Sequence, residues 1–339
     1  MKILDATIDT ERKNIKSEVA MEFEKPHIHT ENQNKAEIAL NEKCQQLLNT
    51  IIATRHFMDS YSMLQFGRLY AGGISAKISL HAHNILSSIE QTLGSIEGSC
   101  RLGNFSDAYV LIRKYRDDLF FCLYIDVVSN ELKKPDTDIT FDELQSNFLD
   151  DPNDEKLIEF VMNAYNGILE SANKDKSYQD IVLWSENQRQ SDLHFSDVLK
   201  RIGNSLAIKD AVNKYNLQTI FNNIAITLNN FVHGNGASYY NKFLHAYGDS
   251  ELERVCENIT SIMNTITVTF AFLAALHSPI SIMANEYIDY LDFGEQPPDG
   301  SPYWVAQFVV DFFKTHKNIL GDDCVNYLEK ETGMQFEQV

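Results

Sequence analysis

Fifteen glycines and seven prolines are all that a chain of 339 residues contains, about half the usual share of these two residue types. Gly supplies left-handed backbone and Pro fixes φ and removes a donor, so folds made of many short strands and tight turns consume both. A sandwich, barrel or propeller is therefore disfavoured, and long helices are predicted. At this length a chain buries roughly 75% of its unfolded surface, so its core needs neither a disulfide framework nor a structural metal. Hydrophobic residues at 44% and charged residues at 23% are those of a globular chain.

The apolar residues recur at helical spacing. Residues 1–34 are polar, contain Pro26 and are read as a loose arm. From Lys35, Ile38, Ala39, Leu40, Leu47, Leu48, Ile51 and Ile52 line one side of a helix to about Phe57; a second helix is expected from Ser60 to Tyr70. A third, from Ser75 to about Gly98, repeats Ile78, Ile85, Leu86, Ile89, Leu93 and Ile96. Gly103-Asn104 marks a turn before a long helix from Phe105 to Leu132, which Lys133-Lys134-Pro135 ends. Thr140 with Glu143 forms a capping box, Leu157 to Leu169 a further helix, and Ser177 with Asp180 another cap. Ala207 to Val232 is read as one helix closing at Gly234-Asn235-Gly236, and Ser250 with Glu253 opens the next.

That next helix carries a stretch, Ile259 to Ala284, without a single Asp, Glu, Lys or Arg. Its Asn264, His277, Pro279 and run of Thr and Ser are too polar for a membrane span, so a buried central helix is expected and stable membrane insertion is not. Thr265 to Phe270 alternates like a strand, but a capped run of this length suits a helix better. Residues 295–302 read as a linker, after which Ser301 and Pro302 start a helix to about Asn318. Its Trp304, Val305, Phe308, Val309, Phe312 and Phe313 form a stripe expected to pack on the main domain, with a partner surface as the other reading. The expected fold is all-α: an antiparallel bundle of about eight to ten helices over residues 35–294, with a C-terminal helical appendage at 303–339. No internal repeat points to a solenoid.

The 48 acidic and 29 basic residues give a net charge of −19, which repels nucleic-acid backbones and anionic lipid, so any nucleic-acid role needs a local basic pocket. Cys44, Cys100, Cys122, Cys256 and Cys324 form no CxxC pair and read as buried thiols in a reducing cytoplasm. Asp5 interrupts any apolar core of a signal peptide. His27 and His29, and His81 and His83, are spaced by two, which on a helix points them to different faces. No HExxH, calcium loop, P-loop, GxGxxG or GxSxG is present, so no metal, dinucleotide or other cofactor is assigned.

Two places remain for chemistry. In Leu111-Ile112-Arg113-Lys114-Tyr115-Arg116-Asp117-Asp118, Arg113 and Asp117 stand four apart and can pair on one helix face. Such a pair reads as helix stabilisation or as a preorganised guanidinium for an anion. In Leu228-Asn229-Asn230-Phe231-Val232-His233-Gly234-Asn235-Gly236, His233 at a helix end complements the dipole and also suits a general acid or base.

The string LIRKYRDDLFFCLYI, followed by LNNFVHGN, resembles the all-helical HEPN-type proteins over about residues 75 to 280. That superfamily includes abortive-infection and toxin–antitoxin nucleases, and noncatalytic binding members. Its nuclease motif is an Arg, often with a polar residue directly after it, and a His a few residues on. The resemblance implies metal-independent RNA cleavage in which the His assists attack of the ribose 2′-hydroxyl, commonly between two facing protomers. His233 matches the motif His and Asn229 the polar residue; Ile226, Thr227 and Leu228 stand where the motif Arg belongs, leaving Arg113 as a substitute from another helix. The candidate site is therefore His233, Arg113 and Asn229, with RNA or a protein as partner and a homodimer as the assembly. The alternative is a noncatalytic helical module for dimerisation or for neutralising a partner. A small anion held in a crevice beside Arg113 is a third reading.

Overall fold

The computed structural model describes residues 38–69, 76–131, 172–185, 194–233, 249–284 and 303–336. Among them the elements are helices α1 (Glu42–Leu69), α2 (Ala76–Arg101), α3 (Phe105–Asn130), α4 (Lys176–Ser185), α5 (Phe195–Gly203), α6 (Lys209–Lys214), α7 (Leu217–Val232) and α8 (Asp249–His277), a 3₁₀ turn (Pro279–Ile282), then β1 (Tyr303–Trp304), α9 (Gln307–His316), α10 (Cys324–Thr332) and β2 (Met334–Gln335). The all-α expectation holds. The 132–171 segment, with Thr140, Glu143 and Leu157 to Leu169, lies outside the described residues, as do His27, His29 and the 295–302 linker.

Several boundaries differ from those read in the sequence, each for a local reason. The two helices expected at 35–57 and 60–70 are one, α1, which begins after Asn41: the Asn41 Oδ1 accepts the Cys44 N–H at 3.1 Å, the bond of an N-cap. Leu40, ahead of that cap, is 87% exposed rather than inward. α2 runs three residues past Gly98 to Arg101, and Gly103 at φ 77 then turns the chain into α3. The cap of α4 is Asp175, whose Oδ1 accepts the Tyr178 N–H at 2.9 Å; Ser177 is already helical. The single helix expected from Ala207 is α6 and α7, broken at Asn216 with φ 48, a conformation Asn tolerates better than most residues. Ser250 lies inside α8.

Side-chain pairs fix the helix directions. Arg55 of α1 meets Glu90 of α2, and Lys114 of α3 meets Ser88 and Thr92 of α2, so α2 packs against both α1 and α3. α8 lies parallel to both α1 and α3: Lys43 meets Glu257 and Tyr61 meets Phe270, while Tyr109 meets Asn258 and Tyr115 meets Thr267. Wedged among them, the C-terminal half of α8 is covered all round, with every residue from Ile266 to Leu276 buried, Thr267 and Thr269 included. By length and composition Ser250–His277 could cross a bilayer, yet 78% of its most apolar window is covered by the chain's own packing.

The C-terminal stripe closes the same core. Phe312 stacks on Phe57 at 4.0 Å between ring centroids, Phe308 approaches the same ring at 5.7 Å, and Val309 and Phe313 are buried. Its helix starts at Gln307 rather than Pro302, because Tyr303–Trp304 pair in parallel with Met334–Gln335 and Val305 bridges Met283. Those backbone groups serve a tertiary ladder, which a helix beginning at Pro302 would break.

Candidate functional site

α7 packs on α3 through aromatic pairs. Phe231 stacks on Tyr109 with centroids 4.0 Å apart and planes 5° apart, and Phe221 meets Phe120 edge-on at 4.8 Å. Residue numbers rise along α3 as they fall along α7, so the two helices are antiparallel. His233 is the C-cap of α7; its N–H donates to the Asn229 carbonyl at 3.1 Å and its side chain is exposed. Asn229 lies one turn behind it on the same face and is half-buried. With Tyr109 level with Phe231, Arg113 is level with Thr227, and at 1.5 Å per residue it stands about 9 Å along the axis from His233. The structure thus brings Asn229 and His233 together. Among the described residues no hydrogen bond or ion pair joins Arg113 to either.

Arg113 pairs as its spacing predicts, with Nε 3.6 Å from Asp117 Oδ2. The deeper cation is Arg116, which the i, i+4 spacing does not single out. It is 2% exposed, its Nε and Nη2 donate to Asp117 Oδ1 at 2.9 and 2.6 Å, and its guanidinium carbon lies 4.0 Å from the Phe195 ring centroid. The signal was present: position 116 is seven from Tyr109, which returns to the same face of a helix. Burial pulls the Arg116 pKa down and the Asp117 carboxylate pulls it back; a guanidinium stays charged in either case. One carboxylate serves two cations, and a buried Nη1 on each is without a hydrogen-bond partner. Lys114, by contrast, is bonded to Asp118, Ser88 and Thr92, while burial pushes the Asp118 carboxyl up.

Phe195 also lines a cleft of about 440 Å³ with Leu199, Lys200, Asn204, Phe221 and Asn222. Its walls are mostly apolar, with amides and one ammonium among them. A second polar group sits at the far end of α3. His277, its side chain 5% exposed, has Nδ1 3.5 Å from the Ser205 Oγ and Nε2 3.3 Å from the Asn130 Nδ2 and 3.8 Å from the Asp126 Oδ2. Burial pushes the Asp126 carboxyl up and His277 opposes it. The residue types are those of a nucleophilic triad, but Ser205 is buried and the spacings exceed those of a proton relay. The group ties the ends of α3 and α8 to the α5–α6 connection. No local pattern could reveal it, because its members come from three separate stretches of chain.

Among the described residues no three His, Cys, Asp or Glu side chains converge to hold a metal ion. His81 and His83 fall on α2. No protein-family model matches the chain, and no curated protein or solved structure is significantly similar to it.

Proposed function

We propose that the chain is an RNA-acting effector of the HEPN-like kind, with His233 as general acid/base in a metal-independent cleavage and Asn229 contacting the scissile phosphate. The observation that carries this reading is the exposed His233 at the C-terminal end of α7, with Asn229 one turn beneath it. A neutral imidazole takes the proton of a ribose 2′-hydroxyl as that oxygen attacks phosphorus. The 5′-oxygen departs with a proton, supplied by the same site or by His233 of a second copy, and leaves a 2′,3′-cyclic phosphate. Arg113, about 9 Å away along the helix axis, serves a neighbouring phosphate instead of the reacting one. With a net charge of −19 on the chain, RNA binding rests on such local cations and weakens with salt.

The test is cleavage of single-stranded and structured RNAs in EDTA by the wild type and by His233→Ala. Cyclic-phosphate ends that disappear in a folded His233→Ala variant support the reading. No cleavage by the folded wild type overturns it. The Lys200 ammonium among the mostly apolar walls favours a second, noncatalytic reading, a small anion with an apolar body held in the α5–α7 cleft. Its signature is saturable thermal protection by such an anion, lost in Lys200→Met.

A further inference from the structure

The sulfurs of Cys44 and Cys256 lie 3.0 Å apart in the core, joining residues 212 positions apart in the chain. Both side chains are buried, yet each is next in sequence to a surface residue, and those neighbours, Lys43 and Glu257, form an ion pair at 2.9 Å directly between α1 and α8. The thiols therefore sit at the contact of α1 with α8, beside a surface ion pair that holds the two helices in register.

The two sulfurs are not equivalent. Cys44 is the third residue of α1, in the first turn, where the helix dipole favours negative charge. Either thiol can donate across the 3.0 Å contact, which pulls the Cys44 pKa down and pushes the Cys256 pKa up. Cys100, also buried, is pushed up to about 12 and stays a thiol. The geometry thus supplies one nucleophilic and one resolving sulfur.

We propose that Cys44 and Cys256 are an oxidisable dithiol, converted by hydrogen peroxide into a disulfide that clamps the start of α1 to α8 and reopened by a dithiol reductant. The Cys44 thiolate attacks the peroxide, the O–O bond breaks, and Cys44 sulfenic acid and water form once the leaving oxygen is protonated. The Cys256 sulfur then attacks the sulfenic sulfur; the S–S bond forms, the S–O bond breaks and a second water leaves with the thiol proton. Two thiols are oxidised and one peroxide is reduced. Closing the sulfurs to bonding distance requires a movement of about 1 Å, on the scale of side-chain torsions.

The full-length protein is treated with hydrogen peroxide or with dithiothreitol, its remaining thiols are alkylated after unfolding, and its peptides are mapped by mass. The expected product is a Cys44–Cys256 linked peptide that reduction removes. Closing so long a loop raises Tm by about 5 °C or more in the oxidised form. Cys100→Ala retains the link, and Cys256→Ser leaves a Cys44 sulfenate that dimedone captures. Recovery of all five cysteines as thiols after peroxide treatment just below Tm overturns the proposal, as does a link that uses Cys100.

Discussion

Burial shifts the phenols and thiols around α3 in one direction. Cys100 is pushed up to about 12, and Tyr109 and Tyr115 rise from the ordinary phenol value for the same reason. Each stays protonated in the fold and ionises more readily in the unfolded chain. Their contribution to stability is therefore complete below the unfolded values, about 8.5 for the thiol and 10 for the phenols, and is lost as pH rises towards the folded ones. Between pH 9 and 11 the urea midpoint is expected to fall, at a limit of about 1.4 kcal/mol per pH unit for each group. Tyr115→Phe should flatten that slope, since Thr267 keeps its bond to the Met263 carbonyl. A midpoint constant to pH 11 would contradict the assignment. At this scale the sequence was half legible. Arg113 and Asp117 were paired correctly from their spacing, but which arginine is buried depended on Phe195, which arrives from α5.

Helix ends are decided by single hydrogen bonds. Asp175→Ala removes the acceptor of the Tyr178 N–H and should cost about 1 kcal/mol in urea unfolding. Ser177→Ala, at the position the sequence pattern favoured, should stay within about 0.5 kcal/mol of wild type. Equal effects at the two positions would refute the cap. Both residues are good caps in isolation, so composition could not choose between them; the choice follows from where the chain leaves the preceding segment. The break between α6 and α7 has the same character. Nothing in the apolar spacing marks Asn216, and only its left-handed backbone separates the two helices. Gly103, where scarcity of glycine made the turn conspicuous, was readable.

The aromatic C-terminal helix belongs to the core of the whole molecule. Phe312→Ala, which deletes the ring stacked on Phe57, is expected to cost about 3–5 kcal/mol and to lower Tm without changing the native molecular mass. A change of oligomeric state in an otherwise stable variant would show instead that this face binds a partner. By itself the sequence determined the all-α class, through few turn-making residues and a persistent 3.6-residue period, and it marked the part of α8 from Ile259 onward as the buried centre, because a helical stretch without charges is covered most readily by the chain's own packing. It also put Asn229 and His233 on one face, since residues four apart on a helix are neighbours. Only the tertiary structure decided that α8 runs parallel to α1 and α3, that Arg116 shares Asp117 with Arg113, that His277 gathers Ser205, Asn130 and Asp126, and that Cys44 meets Cys256. Those contacts join residues up to 212 positions apart, and local periodicity fixes which face of a helix turns inward without fixing what it meets there.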